Sequence, residues 1–194
     1  MRADRTRVTV IEETVRCILE EGFAAASTRH ITERAGVTWG VIQYHFGDRD
    51  GLMMAVVDEG YADLLESLRR QPAGFEALSA RGRTDAVITA AWNAFSSPTS
   101  RAALEILIAT RALRGTAAAE HLEAVAEALA DLGKQIGRGL DKSHAAAIGN
   151  LLWAALRGMV LAQMVVPTPI DTARDRRALA DVISSYIEQH GPAR

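Results

Sequence analysis

The chain has 194 residues, of which 48% are hydrophobic and 24% charged, so an apolar core can form and disorder is excluded as the main state. One cysteine, Cys17, excludes a disulfide scaffold and a multi-cysteine zinc site. The formal net charge of −2 gives no bulk basicity that would advertise nucleic acid, so a DNA-binding assignment must rest on a local motif.

Abundant alanine and only five prolines predict an all-α protein. In chain order, Val8, Ile11, Val15, Ile18 and Leu19 predict a first helix over 6–21, stopped by Gly22. Arg2, Arg5 and Arg7 can form a minor-groove arm or a disordered tail, and the tail is the preferred reading. A short second helix starts after Ser27, with Ser27 or Thr28 as its cap and Ile31 and Ala35 on one face. Gly36-Val37 makes a turn, and a third helix runs over 38–45. The fourth, over 48–70, carries Leu52, Val56, Tyr61, Leu64, Leu65 and Leu68. Pro72 to Gly82 reads as a loop. Further helices are expected near 83–95, 99–113, 117–138, 143–165 and 172–189, separated by Pro98, Gly115 and Pro167-Thr168-Pro169. The most apolar stretch, Ala145 to Val166, is interrupted by Asn150, Arg157 and Gln163, so no membrane span is expected. The N-terminus has no secretory pattern, and the expected location is the cytoplasm.

The segment Ser27 to Phe46 carries the functional signal. It places two short helices around a glycine turn, which is the helix-turn-helix layout. Ile31, Val37 and Ile42 can pack inward. Thr38, Trp39, Gln43 and Tyr44 remain on a face that can donate to phosphates and touch base edges. Glycine-turned helix pairs also occur in plain helical bundles, so the residues alone leave DNA binding open. Each residue also has a plainer role: Thr28 and Thr38 as caps, Trp39 as core, Gln43 as a solvated side chain, His45 as packing, Arg49 as a surface charge.

The segment closely resembles the DNA-binding domain of the tetracycline-repressor (TetR) family. The matching features are Ser27-Thr28, Ile31, Ala35-Gly36-Val37-Thr38, Gly40, Tyr44-His45-Phe46 and Asp48-Arg49-Asp50-Gly51-Leu52. The match covers about residues 5–65. Trp39, Ile42-Gln43 and Arg49 depart from the usual family pattern, mostly on the recognition surface, so no operator sequence carries over. The resemblance implies a DNA-binding domain over 1–50 and a helical ligand-binding and dimerisation domain over 51–194. It also implies DNA contact by Thr28, Thr38, Trp39, Gly40, Gln43, Tyr44, His45 and Arg49.

In the larger part, Trp92, Asn93, Phe95, Arg111, His121, Trp153 and Arg157 set polar and aromatic groups among apolar ones. The resemblance makes them the expected ligand-binding residues; the alternative for the aromatics is plain core. The last two helices carry apolar positions on more than one face, and the resemblance implies that they pair with a second copy. The expectation is a homodimeric, ligand-responsive transcriptional repressor, with an operator duplex and a small-molecule effector as partners. No cofactor and no metal are expected. The histidines show no paired metal spacing, and no nucleophile elbow or phosphate loop appears, so no enzyme is expected. The competing expectation is a helical carrier or interaction protein without DNA binding.

Overall fold

A computed structural model describes residues 2–70, 74–111, 117–136, 140–166, 168 and 170–191, without the side chains of residues 2–3, 117–122, 124, 126 and 129. Among the described residues the protein is all-α. The helices are α1 (Arg2–Glu21), α2 (Thr28–Ala35), α3 (Trp39–Phe46), α4 (Arg49–Arg69), α5 (Ala80–Phe95), α6 (Pro98–Ala109), α7 (Ala117–Ile136), α8 (Lys142–Val165) and α9 (Ala173–His190). Contacts divide the chain into two units. One is Met1–Asp63 with Ser97–Gly115; the other is Leu64–Ser96 with Thr116–Arg194. The break thus falls inside α4.

In the first unit, α1 buries Val10, Ile11, Thr14, Val15, Cys17 and Ile18, which lie along one stripe at helical spacing. The buried Thr14 hydroxyl donates to the Val10 carbonyl at 2.7 Å, so it carries no unmet polar cost. Two expectations are corrected here. Val8 is 49% exposed and lies off the stripe. The arginine tail is helical, because α1 begins at Arg2; Arg7 approaches Glu59 at 4.0 Å and lies over the Phe46 ring at 5.7 Å. Helix α2 packs on α1 and α3, and α6 packs on α1. Glu105 of α6 accepts from the Phe23 amide at 2.7 Å, tying α6 to the α1–α2 connection.

In the second unit, α7 packs most extensively on α8, and α5 packs on α7, α8 and α9. The crossing of α7 and α8 depends on Gly133, where a Cβ would overlap the Ala145 carbonyl oxygen. Where a loop was expected over Pro72 to Gly82, a 3-10 turn forms at Phe75–Ala77 and α5 starts at Ala80, capped by Ser79. Pro98 does not merely separate helices: it is the first residue of α6, where its missing N–H costs nothing, and Ser97 caps it. Pro72, Gly115, Pro167 and Pro169 lie outside the described residues. By length and composition α8 is apolar enough to cross a membrane. Its buried residues Ala145, Ile148, Gly149, Leu152, Leu156 and Val160 repeat every three to four positions, and α8 packs on α7, α5 and α9.

Candidate nucleic-acid interface

The site begins with the two caps and the turn. Ser27 precedes α2 in an extended conformation, and its hydroxyl accepts from the His30 amide at 3.3 Å. Ser27 is therefore the cap, and Thr28 is the first residue of α2. At the other end Gly36 adopts the left-handed conformation, φ 63° and ψ 32°. Its amide donates to the Glu33 carbonyl, and the Val37 amide donates to the Thr32 carbonyl at 3.1 Å. That bond pair closes α2 and turns the chain, and a side chain at Gly36 would strain the backbone.

Thr38 then precedes α3, also extended, but its side chain makes no capping hydrogen bond. The hydroxyl and the first amides of α3 stand at the positive end of the helix, where an anion is favoured. Along α3 the eight residues divide evenly. Val41, Ile42, His45 and Phe46 turn inward, with Ile42 fully buried; Trp39, Gly40, Gln43 and Tyr44 are exposed. At 3.6 residues per turn the exposed four cover an arc of about 140°. Trp39 is 46% and Tyr44 81% exposed, unusual for large aromatic groups on a protein's own surface. His45 packs edge-on against Tyr44, with ring centres 4.9 Å apart.

Arg49 is a correction. Expected at phosphate, its guanidinium instead turns into the protein. Nε donates to the Ala26 carbonyl at 2.8 Å and the second terminal nitrogen to the Phe23 carbonyl at 3.3 Å, with the Phe23 ring 4.7 Å below. It clamps the α1–α2 connection. The loop carbonyls satisfy a planar fork that a lone surface charge would not need.

One network escaped the sequence reading. Arg34 of α2 reaches Glu20 at 2.7 Å and Glu21 at 2.5 Å on α1, and His30 reaches Glu21 at 2.9 Å. The His30 hydrogen bond, followed by Arg34, holds the Glu21 carboxyl below the usual range. The adjacent Glu20-Glu21 pair was the available signal. Arg29, on the exposed side of α2, pairs with Glu33 at 2.8 Å.

The residues expected to bind a ligand do not form one site. Phe95, Trp153 and Arg157 do come together: the Phe95 and Trp153 rings lie 5.2 Å apart, and the exposed Arg157 lies 5.0 Å over Trp153. Trp92 is instead covered by Arg176 at 4.5 Å, and Asn93 is exposed. Arg111 is exposed just after α6 in the first unit and donates to the Ile108 carbonyl at 3.2 Å. The side chain of His121 lies outside the described residues.

A capped helix, a left-handed glycine turn and a second helix with an exposed polar and aromatic face form a helix-turn-helix, the layout used by DNA-binding transcriptional regulators. Comparison with known proteins carries this to a family. The family described as bacterial regulatory proteins, tetR family, matches residues 10–56. The chain is similar to the HTH-type transcriptional regulator BetI of Burkholderia mallei, 28% identical over 94% of this chain and 92% of that protein. It is also similar to the HTH-type transcriptional repressor AcnR of Corynebacterium glutamicum, 28% identical over 45% of this chain and 56% of that one. Its fold is shared with SCO4454, a TetR-family regulator from Streptomyces coelicolor (TM-score 0.68, 19% identity, 96% and 90% coverage). PfmR, a TetR-family regulator from Thermus thermophilus, shares it too (TM-score 0.67, 16% identity, 95% and 96% coverage). These likenesses support a TetR-family transcriptional regulator, in a family of regulators rather than of enzymes, with the family match itself spanning residues 10–56. The reading as a carrier without DNA binding is not favoured.

Proposed function

We propose that this regulator is a homodimeric repressor, released from its operator by a small molecule, acting in the bacterial cytoplasm. The observation that carries the DNA part is the even division of α3, together with a Thr38 hydroxyl that the protein does not use as a cap. Thr28, Thr38 and Tyr44 supply phosphate contacts, and His45 supports Tyr44 from the side. Trp39 and Gln43 read base edges, and Gly40 lets the helix approach the groove closely. The functional boundary stands near residue 50, with residues 51–194 forming the effector-binding and dimerisation part.

Support for pairing comes from the second unit. Leu151 of α8 and Val182 of α9 are 44% and 59% exposed. With Ala147, Ile148, Ile183 and Tyr186 they line a cleft of about 110 Å³ between the two helices. A two-fold pair through this face matches the symmetry of a palindromic operator. Repression is supported by the likeness to AcnR, whose name is that of a repressor. Phe95, Trp153 and Arg157 are the best-supported effector contacts, as an apolar pair with one cation above it.

The test is a band-shift assay with the DNA upstream of the protein's own coding sequence. Trp39→Ala or Gln43→Ala should change sequence preference by roughly 1–3 kcal/mol per lost base contact, while Tyr44→Phe weakens binding to every sequence alike. Unchanged binding in all three variants sinks the assignment of this face.

A further inference from the structure

Cys17 is fully buried on α1, and Glu21 stands four residues later on the same face. His30, in the first turn of α2, closes the group from the other side. Cys17 Sγ, a Glu21 carboxylate oxygen and His30 Nε2 all lie within 4.8 Å of one another. A thiol, an imidazole and a carboxylate form the mixed sulfur, nitrogen and oxygen set that suits zinc. We propose that these three residues form a site for a borderline divalent metal ion of the zinc type, joining α1 to the start of α2.

Charge favours a dication here. Among the described residues, Glu12, Glu13, Glu20 and Glu21 pair with Arg16, Arg34 and the His30 ring, so four carboxylates share two fixed cations. Arg34 does not block the site, because Glu20 and Glu13 can hold its guanidinium at 2.7 and 3.7 Å when Glu21 turns to the metal. Geometry asks for little movement. Ligand atoms around a tetrahedral zinc ion stand about 3.5 Å apart, so the longest separations must close by about 1 Å while the His30–Glu21 pair, at 2.9 Å, opens slightly. Glu21 is exposed and His30 half-buried, so both side chains have room to adjust around the fixed sulfur. On binding, the Cys17 thiol loses its proton to solvent, and His30 Nε2 exchanges its hydrogen bond to Glu21 for the metal, its ring proton residing on Nδ1. Water completes the fourth position. Nothing in the sequence pattern announces this site, because its ligands span two helices and include one cysteine and one histidine. The proposal departs from the expectation of no metal.

Titration of the reduced, metal-free full-length protein with Co²⁺ tests the proposal. The expected result is one ion per chain, tetrahedral visible bands and a sulfur-to-cobalt charge-transfer absorption in the near ultraviolet, all displaced by Zn²⁺. Cys17→Ala should remove the charge-transfer absorption. His30→Gln and Glu21→Gln should each weaken affinity about tenfold or more, since changes even to groups behind a metal's ligands cost that much. His30→Gln, at a half-buried position, keeps the test decisive should Cys17→Ala fail to fold; circular dichroism establishes which variants are folded. Absence of saturable binding at micromolar Co²⁺, or equal affinity in the wild type and the folded variants, overturns the site and leaves an ordinary ion-pair network.

Discussion

Ser27 and Thr38 stand at corresponding places before α2 and α3, and the protein uses them differently. Ser27 spends its hydroxyl on the His30 amide. Thr38 makes no capping bond. Ser27→Ala should therefore cost about 1 kcal/mol of stability in denaturant unfolding, and Thr38→Ala less than half of that. Thr38→Ala should instead weaken operator binding. Equal stability losses in the two variants would remove the distinction. Arg49 gives a second prediction at this scale. Arg49→Lys keeps the charge but not the planar fork, and should lose about 1–3 kcal/mol of stability. A lysine variant of wild-type stability and weakened DNA binding would return Arg49 to the phosphate backbone. Ser27, Gly36 and Thr38 were legible in the sequence because caps and turns are local chemistry. The partners of Arg49 were not, since they are backbone carbonyls of Phe23 and Ala26, brought near only by the fold.

At the scale of helices the sequence was legible nearly throughout, because alanine, serine caps and Pro98 act within a few residues. The extension of α1 to Arg2 was missed because Arg2 to Arg7 offers no apolar stripe from which to read a helix. The placement of the expected ligand residues was not legible, because an aromatic residue on a helix looks the same whether it lines a cavity or lies under an arginine, as Trp92 does under Arg176. The α7–α8 crossing can be tested at Gly133. The overlap there is with backbone, so Gly133→Ala should cost about 1–3 kcal/mol. A variant as stable as the wild type would show that the two helices can separate freely. At the start of α8, Asp141 accepts from the Ser143 and His144 amides and pairs with the His144 ring. Its bonds to His144, from the amide first, hold its carboxyl below the ordinary range. A depressed carboxylate stabilises the fold above its unfolded pKa, near 4, and that contribution is lost as pH falls through and below that value. Melting temperature measured from pH 6 to pH 2.5 should thus fall more steeply for the wild type than for Asp141→Asn. Identical slopes would show that Asp141 is not titrating against the fold.

For the whole molecule the expectations concern assembly and coupling. Val182→Glu places a charge on the exposed face of α9 and should convert a dimer to a 20.9 kDa monomer in light scattering, with reduced operator affinity. A wild-type monomer with full affinity would contradict the pairing. Helix α4 belongs to the first unit up to Asp63 and to the second from Leu64. It is the element through which effector binding is proposed to act. An effector that releases the operator must bind the free protein more tightly, and the operator must then weaken effector binding by the same factor. Effector affinity measured with and without operator should differ by that factor, and equal affinities would end the repressor reading.

The pairing of arginines with carboxylates has a consequence for how the protein finds its site. No lysine stands before Lys134, and Met1–Asp63 holds seven arginines against eleven carboxylates. Arg7, Arg16, Arg29 and Arg34 each already face an acidic side chain. A phosphate that approaches them displaces a carboxylate of the protein itself, and so does little to liberate the cations condensed along the duplex. Sequence-independent affinity, which draws mainly on that liberation, is correspondingly low. Operator binding should therefore show a shallow dependence on ionic strength, measured by repeating the band-shift assay across salt concentrations. On the proposed reading its discrimination would come from the uncharged face of α3, where bulk electrolyte has least to say.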